Sequence, residues 1–556
     1  MAFDDVLVRL GVFGRYQKRV YLLLCLPAIS CALHKLAGVF LLAKANHRCQ
    51  LPCEETNASY QLDNGVWNTS YPWDYKAKTW SSCYRLDANF TPGTCMSGGG
   101  NTSMPCDGGW VYDRSKYHSS VVTEWNMVCD DAWLRATADS LFMVGVLLGS
   151  IIFGDLSDRF GRRPIFFISL VLQVIGGLGA AVMPEKVGFM LARMLIGATT
   201  SGVFLVAYVI AMEMVGPSKR LVAGVVCQFF FTTGYILTAA FAYFIKDWRH
   251  LQIALSLPGI LFLCYWWFIP ESARWLLTKG HKEEAKELLQ RVAKENNVTI
   301  TDDLLDELLE SEVATANEED STPKPSILDL MRHRNLRRKS MLIFFNWFVN
   351  SGTYYGLSWN TSNLGGNDYI NFFISGAVEI PAYSFLLLTL NRWGRKTILC
   401  GCMLLGGISL LLTIAVPSNT VWLLITLAMV GKLAITASYG TIYVFTAEQF
   451  PTVIRNVALG SASTCARVGG ILAPYANILA DYWTPLPLII FGALAFTGGL
   501  LSLLLPETLD KKLPDTIEEG EKFGLGHDNP IELQEDIVEN GISEKENAMK
   551  PSPQKQ

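Results

Sequence analysis

A few ionisable residues of this chain sit deep inside long apolar runs, where charge is costly. Glu379 lies about ten residues into the run 369–390, Arg467 about ten into 457–481, Lys432 within 420–446, and His34 and Lys35 near the middle of 20–42. If these runs cross a bilayer, such groups are either paired with one another or aimed at a water-filled path, where they can bind a charged solute. Aromatic residues accompany them. Trp347 and Tyr354, seven apart, share one face of a helix, Phe229, Phe230 and Phe231 follow Gln228, and Tyr439 lies in 420–446. An aromatic face attracts an ammonium by about 0.5–2 kcal/mol without strict geometry, which suits many cation shapes. Taken singly, each of these aromatics is as well explained by packing, and each charge by a buried structural pair.

A second set of charges occurs twice. The polar stretch Gly154–Pro164 separates the apolar runs 138–153 and 165–183, and Asn391–Lys396 repeats it. Arg159, Gly161 and Arg162 match Arg392, Gly394 and Arg395, each 233 positions later. Pro270-Glu-Ser matches Pro506-Glu-Thr at 236, and Glu213 with Arg220 matches Glu448 with Arg455 at 235. Three matched pairs at nearly one offset make the chain two homologous halves. The turn charges Asp158, Arg159, Arg162, Arg392 and Arg395, with Glu213, Glu271, Glu448 and Glu507, all fall at run ends on one side. They could merely fix topology. Matched opposite charges could also latch one half to the other, and breaking one partly dry pair would cost roughly 1–3 kcal/mol, enough to redistribute two states of similar energy.

The elements that must carry these residues follow from composition. The 556 residues are 50% apolar and only 17% charged, against about 25% in soluble domains. The expectation is an all-α membrane protein with twelve transmembrane helices: 20–42, then about 136–154, 165–184, 189–211, 222–245 and 251–269, then about 339–360, 369–390, 397–416, 420–446, 457–481 and 485–505. No cleavable signal is read in residues 1–19, which are charged and amphipathic. Lys and Arg crowd the 159–163, 219–220, 334–339 and 392–396 ends, which places 1–19, the linker 271–338 and the tail 507–556 in the cytosol. Within the linker 282–295 reads as an amphipathic helix and 318–325 as a flexible link; the tail reads as disordered. Residues 43–134 then lie outside. They hold Cys49, Cys53, Cys83, Cys95, Cys106 and Cys129 and sequons at Asn57, Asn68, Asn89 and Asn101, the marks of an oxidised, disulfide-stapled, glycosylated loop domain. Six cysteines allow fifteen pairings, and sequence does not choose among them. The sequon at Asn297 faces the cytosol on this topology and should stay unmodified.

Two six-helix halves, a cytosolic linker and a duplicated Asp-Arg-x-Gly-Arg turn resemble the major facilitator superfamily. The likeness is closer to the organic-ion transporters of solute carrier family 22. It rests on the long glycosylated first loop, Asp158-Arg-Phe-Gly-Arg-Arg, Pro270-Glu-Ser-Ala-Arg-Trp-Leu-Leu, Val378-Glu-Ile-Pro and Ala447-Glu-Gln-Phe-Pro-Thr-Val-Ile-Arg-Asn. Leu357–Gly366 and His34–Phe40 look most like the insect organic-cation branch. The resemblance implies alternating access, gating by the charged turns, and a cavity at Phe204, Gln228, Phe231, Trp347, Tyr354, Glu379, Tyr439, Ser463 and Arg467. One position departs: where vertebrate cation transporters of the family carry aspartate, this chain has Arg467, as the anion and carnitine branches do. An organic cation beside it is repelled unless a carboxylate such as that of Glu379 neutralises it; otherwise a zwitterion such as carnitine, or an organic anion, fits better.

No His-Glu-x-x-His, Gly-x-x-x-x-Gly-Lys-Ser/Thr or Gly-x-Ser-x-Gly occurs, so no enzyme, nucleotide drive, metal or cofactor is expected. A twelve-span receptor would not need matched charges on both halves. The expected function is a polyspecific plasma-membrane carrier of small organic cations, with the lipid bilayer and a small organic solute as partners and no nucleic acid.

Overall fold

The computed structural model describes residues 3–54, 58–75, 79–87, 102–299, 326–417 and 419–524. A backbone in hydrocarbon must satisfy its own hydrogen bonds, so the long apolar runs become helices. The first half comprises α1 (Arg15–Leu41), α2 (Trp133–Phe160), α3 (Arg162–Val182), α4 (Lys186–Met214), α5 (Arg220–Phe244) and α6 (Trp248–Leu263). The second comprises α7 (Arg334–Trp359), α8 (Asp368–Trp393), α9 (Arg395–Leu411), α10 (Val421–Gln449), α11 (Arg455–Ile478) and α12 (Leu486–Ser502). Among the described residues nine of these, all but α7, α11 and α12, are long and apolar enough to cross a membrane. α12 is apolar but short. α7 is polar because it faces inward: Asn346, Asn350, Ser351 and Ser358 are fully buried.

The charged turns are shorter than the sequence suggests. α2 runs on through Asp155, Asp158 and Arg159, whose spacing lets Asp155 pair with Arg159 at 2.9 Å one helical turn apart. Only Gly161 breaks the helix, at φ +109, and Gly394 does the same at φ +85. That backbone suits glycine, and a Cβ there would lie 2.6 Å from Glu271 Oε2 or 2.4 Å from Glu507 Oε2.

Within the first half α2 and α3 pack on α4; within the second α7 packs on α11 and α9 on α10 and α12. Small residues permit this close approach, as where Gly145 and Gly149 of α2 abut the backbone of Met194 and Ala198 on α4. The halves meet along two seams, α2 against α11 and α5 against α8.

The segment between α1 and α2 forms three two-stranded antiparallel ribbons: His47–Cys49 with Trp110–Tyr112, Trp73–Asp74 with Thr79–Trp80, and Tyr84–Leu86 with Ser103–Pro105. Disulfides join Cys49 to Cys106 and Cys83 to Cys129, and Cys53 is also disulfide-bonded. Cys95, Asn57, Asn89 and Asn101 lie outside the described residues; Asn68 is exposed on the helix Asn64–Ser70. Arg48 is fully buried here and grips Glu54 with two bonds of 2.6 and 2.7 Å.

The linker helix spans Lys282–Asn296 and docks under α1, where Asn296 bonds to the Tyr16 amide at 3.1 Å and to Gln17 at 2.8 Å. The link 318–325 lies outside the described residues. The tail is not without structure throughout. Ile517–Lys522 forms a helix because Thr516 caps it and Glu521 accepts the Asn335 and Leu336 amides at the start of α7, while Phe523 is buried. The rest of the tail, 525–556, lies outside the described residues.

Candidate functional site

Each half builds the same cluster at its charged turn. Glu271 accepts the amides of Arg162 at 3.0 Å, Arg163 at 3.2 Å and Ser272 at 2.9 Å. Glu507 accepts those of Arg395 at 3.0 Å, Lys396 at 3.1 Å and Thr508 at 2.8 Å. The Arg162 guanidinium reaches Glu213 at 3.3 Å, and Arg395 reaches Glu448 at 3.1 Å. Ser272 and Thr508 close each cluster by donating to Glu213 and Glu448, both at 2.5 Å. Burial pushes the Glu271 carboxyl above its ordinary value, against the pull of its backbone donors and Arg162. Asp158 adds a 2.5 Å bond to Arg162 that the second half lacks, because Asn391 stands at the matching place. Arg159 pairs only with Asp155, and Arg392 is exposed with no ion pair among the described residues. Among the described residues every hydrogen bond and ion pair of Arg162, Glu213, Glu271, Arg395, Glu448 and Glu507 stays within its own half. The latch across the halves suggested by sequence is therefore not formed among them in this conformation, since turn amides and neighbouring helices already occupy these carboxylates.

At mid-depth the chain brings together residues from both halves. Glu379 begins the second segment of α8, just after the helix is interrupted at Val378. It is fully buried and accepts from Tyr354 Oη at 2.6 Å, from Thr232 Oγ1 of α5 at 2.9 Å and from Lys432 Nζ at 3.1 Å. The Lys432 ammonium also donates to Ser358 Oγ at 2.6 Å and sits 3.3 Å from the Tyr354 ring centroid and 5.5 Å from that of Tyr235. Glu379 thus neutralises Lys432, not Arg467, because α10 delivers an ammonium to it directly.

Arg467 is half-buried on α11 amid Tyr355, Tyr439 and Tyr443, with its Nε lacking a hydrogen-bond partner. Its cationic neighbour is Lys35 of α1, whose Nζ lies 4.6 Å over Tyr355 and 6.0 Å over Phe231. Phe204 packs on Phe231 with ring centroids 6.2 Å apart; Phe204, Gln228, Tyr439 and Ser463 are half-buried and Tyr443 is 44% exposed. Trp347 is fully buried behind it, its Nε1 donating to Thr446 at 2.8 Å and its ring 4.4 Å from that of Tyr443. Sequence singled out Glu379, Lys432, Lys35 and Arg467 as intramembrane charges. It missed Thr232, Ser358, Tyr235 and Tyr443, ordinary span residues until the partner helix is known. It also missed the fully buried Arg193, which binds Asp139 of α2 at 3.0 Å and the His34 carbonyl at 3.2 Å; a charge inside 189–211 was the available signal.

On the side of the ribbon domain the halves are tied. Lys116 and Tyr117 reach Asp368 at 2.6 and 3.0 Å, Lys44 pairs with Asp481, Ser140 donates to the Ile471 carbonyl at 2.7 Å, and Tyr235 bonds to Ser375 at 2.8 Å. Phe372 fits between Phe40 and Tyr235, with ring centroids 4.9 and 4.6 Å away.

Two pseudo-symmetric six-helix halves around a polar, aromatic centre define a carrier of the major facilitator fold. The solved proton:xylose symporter XylE bound to 6-bromo-6-deoxy-D-glucose shares it, with a TM-score of 0.60 over 91% of this chain and 98% of that one at 19% identity. The profile of the sugar (and other) transporter family matches residues 112–518. The chain is 60% identical over 531 residues to the organic cation transporter protein of Drosophila melanogaster, covering 94% of this chain and 95% of that one. It is 36% identical over 531 residues to the human organic cation/carnitine transporter 2, covering 93% of each. The chain belongs to the sugar (and other) transporter family, among the organic-ion carriers of solute carrier family 22, and is a membrane transporter, not an enzyme.

Proposed function

We propose that the chain moves small organic cations across the plasma membrane by alternating access, polyspecifically, driven by the solute gradient and the membrane potential. The observation that carries this reading is the seat occupied by the Lys432 ammonium, a buried carboxylate flanked by two tyrosine rings. A carboxylate and aromatic faces are what an organic ammonium needs, and Thr232 couples that carboxylate to the other half. A substrate that displaces Lys432 exchanges one cation for another and alters the Thr232 contact at the α5–α8 seam. The likeness to proteins named organic cation transporters supports the substrate class. A monovalent cation gains roughly 2.3 kcal/mol per 100 mV, so no nucleotide is needed. In this reading both termini, the linker and the tail are cytosolic, 43–134 is extracellular and glycosylated, and the turn clusters brace each half as it rocks.

A second reading has its own observation. Lys35 and Arg467 put two cations side by side among the hydroxyls of Tyr355, Tyr439 and Tyr443, with no carboxylate paired to either among the described residues, which favours a carboxylate at that end of a zwitterion. Uptake of labelled tetraethylammonium, carnitine and para-aminohippurate, with and without sodium, decides. Potential-sensitive, sodium-independent tetraethylammonium uptake is the expected result. Carnitine uptake alone selects the zwitterion, and para-aminohippurate alone overturns the cation reading.

A further inference from the structure

The duplicated turns differ in what fills the corner beside them. In the first half the Arg163 guanidinium lies 4.5 Å from the Trp266 ring centroid and donates to the Trp266 carbonyl at 2.5 Å, so that corner is closed by the end of α6. The residue matching Arg163 is Lys396, and the one matching Trp266, at the offset that relates Glu271 to Glu507, is Ser502. Among the described residues no aromatic ring stacks on Lys396, and a cavity of about 240 Å³ opens there among α7, the start of α9, the end of α12 and the tail helix, with Phe523 in its wall over Lys339. Arg338, Lys339 and Lys396 supply three cations to its wall. Lys339 is buried, donates to the carbonyls of Gly520 at 3.1 Å and Phe523 at 2.6 Å, and fixes the floor. The Arg338 guanidinium and the Lys396 ammonium make no hydrogen bond or ion pair among the described residues. Among the described residues the nearby carboxylates do not compensate them: Glu507 is engaged by turn amides and Glu521 by the amides of Asn335 and Leu336. Leu503 and Leu504 at the mouth, just past the end of α12, are 51% and 52% exposed apolar side chains. A ligand for this corner must therefore be anionic at one end and apolar at the other.

We propose that this cavity binds the phosphorylated headgroup of an inner-leaflet anionic phospholipid of the phosphoinositide class, with the acyl chains against Leu503 and Leu504. With Lys339 committed to the floor, Arg338 and Lys396 offer two cations to one ligand, which favours a headgroup carrying phosphomonoesters over the single charge of phosphatidylserine. Bound there, the lipid bridges α7 to α9 and α12 and stiffens the second half alone. The inference rests on reading this face as cytosolic, which epitope accessibility at the N-terminus in intact cells checks separately.

The test uses the full chain in phosphatidylcholine nanodiscs, with dioctanoyl phosphatidylinositol 4,5-bisphosphate as probe and native mass spectrometry as readout. The double variant R338E/K396E should weaken binding by roughly thirty-fold, and the milder Lys396→Gln by less, with thermal unfolding unchanged. Arg332→Glu, the same charge reversal on exposed surface outside the cavity, should leave binding as it was. Equal binding by the double variant and by Lys396→Gln overturns the proposal. So does equal binding of phosphatidylserine, or equal competition by inorganic phosphate, which would make the corner a site for free phosphate.

Discussion

The two halves spend their buried charges differently. In the first, Arg193 and Asp139 join α2, α4 and the α1 carbonyl of His34, all within one half. In the second, Lys432 and Glu379 join α7, α8 and α10 and then reach across to Thr232 of α5. One pair braces a rigid body; the other sits on the seam along which the bodies move. The turn clusters, in contrast, agree nearly atom for atom. Duplication preserves the scaffold, and function is to be sought where the copies diverge.

The largest expected effect comes from the seam. Glu379→Gln should abolish tetraethylammonium uptake, to below about 1% of wild type, since it removes the carboxylate and strands Lys432 in a dry site at a cost of about 3–5 kcal/mol. Adding Lys432→Met should restore thermal stability without restoring uptake; recovery of both would make the pair structural and erase the contrast with Arg193–Asp139. Next is Asp139→Asn, which should lower stability by about 3 kcal/mol in a thermal unfolding assay, while protein that reaches the surface keeps its substrate ratios. Arg467→Asp should raise quaternary-ammonium uptake several-fold and end uptake of any carboxylate-bearing solute. Equal loss of both at normal surface expression would make Arg467 conformational. The smallest effect tests the symmetry itself. Gly161→Ala and Gly394→Ala should each cost about 1 kcal/mol or more, alike within error, because each places a Cβ on a strained backbone against a glutamate. A large difference between them would mean that the two turns carry unequal load.

The repeat was legible because its residues are bound by their local chemistry: a glycine where φ is positive, one arginine two residues before it and another directly after it, and a glutamate that later caps the turn. Helix positions were legible from apolar length. The partner of Glu379 was not, because sequence gives the depth of a charge in a span but not the face it turns to its neighbours. Lys432 meets the carboxylate, while Arg467 lies beside Tyr439 and Tyr443, about two to three turns further along α10, and neither that level nor the rotation of the helices is written in the sequence. The tail helix Ile517–Lys522 was hidden for a related reason. Its composition is that of a disordered segment, and its order comes from a dock under α7 that no local signal records.

The ribbon domain is more than a decoration on the first loop. Residues 116–119 run between the halves: the His118 amide bonds to the Lys246 carbonyl, Ser119 bonds to Asp247 at 2.6 Å, and Lys116 and Tyr117 hold Asp368. A segment anchored firmly to one body and by ion pairs to the other acts as a tether whose release sets a rate. The Lys44–Asp481 pair has side chains 41% and 38% exposed, and Lys116 is 43% exposed, so both contacts lie within reach of counterions. On the proposed topology, with 43–134 outside, the return of the empty carrier should therefore speed up with external ionic strength while substrate affinity stays fixed. The lag before steady exchange in reconstituted vesicles measures that step; Asp368→Asn should weaken its dependence on salt, and Asp368→Asn with Asp481→Asn should remove it.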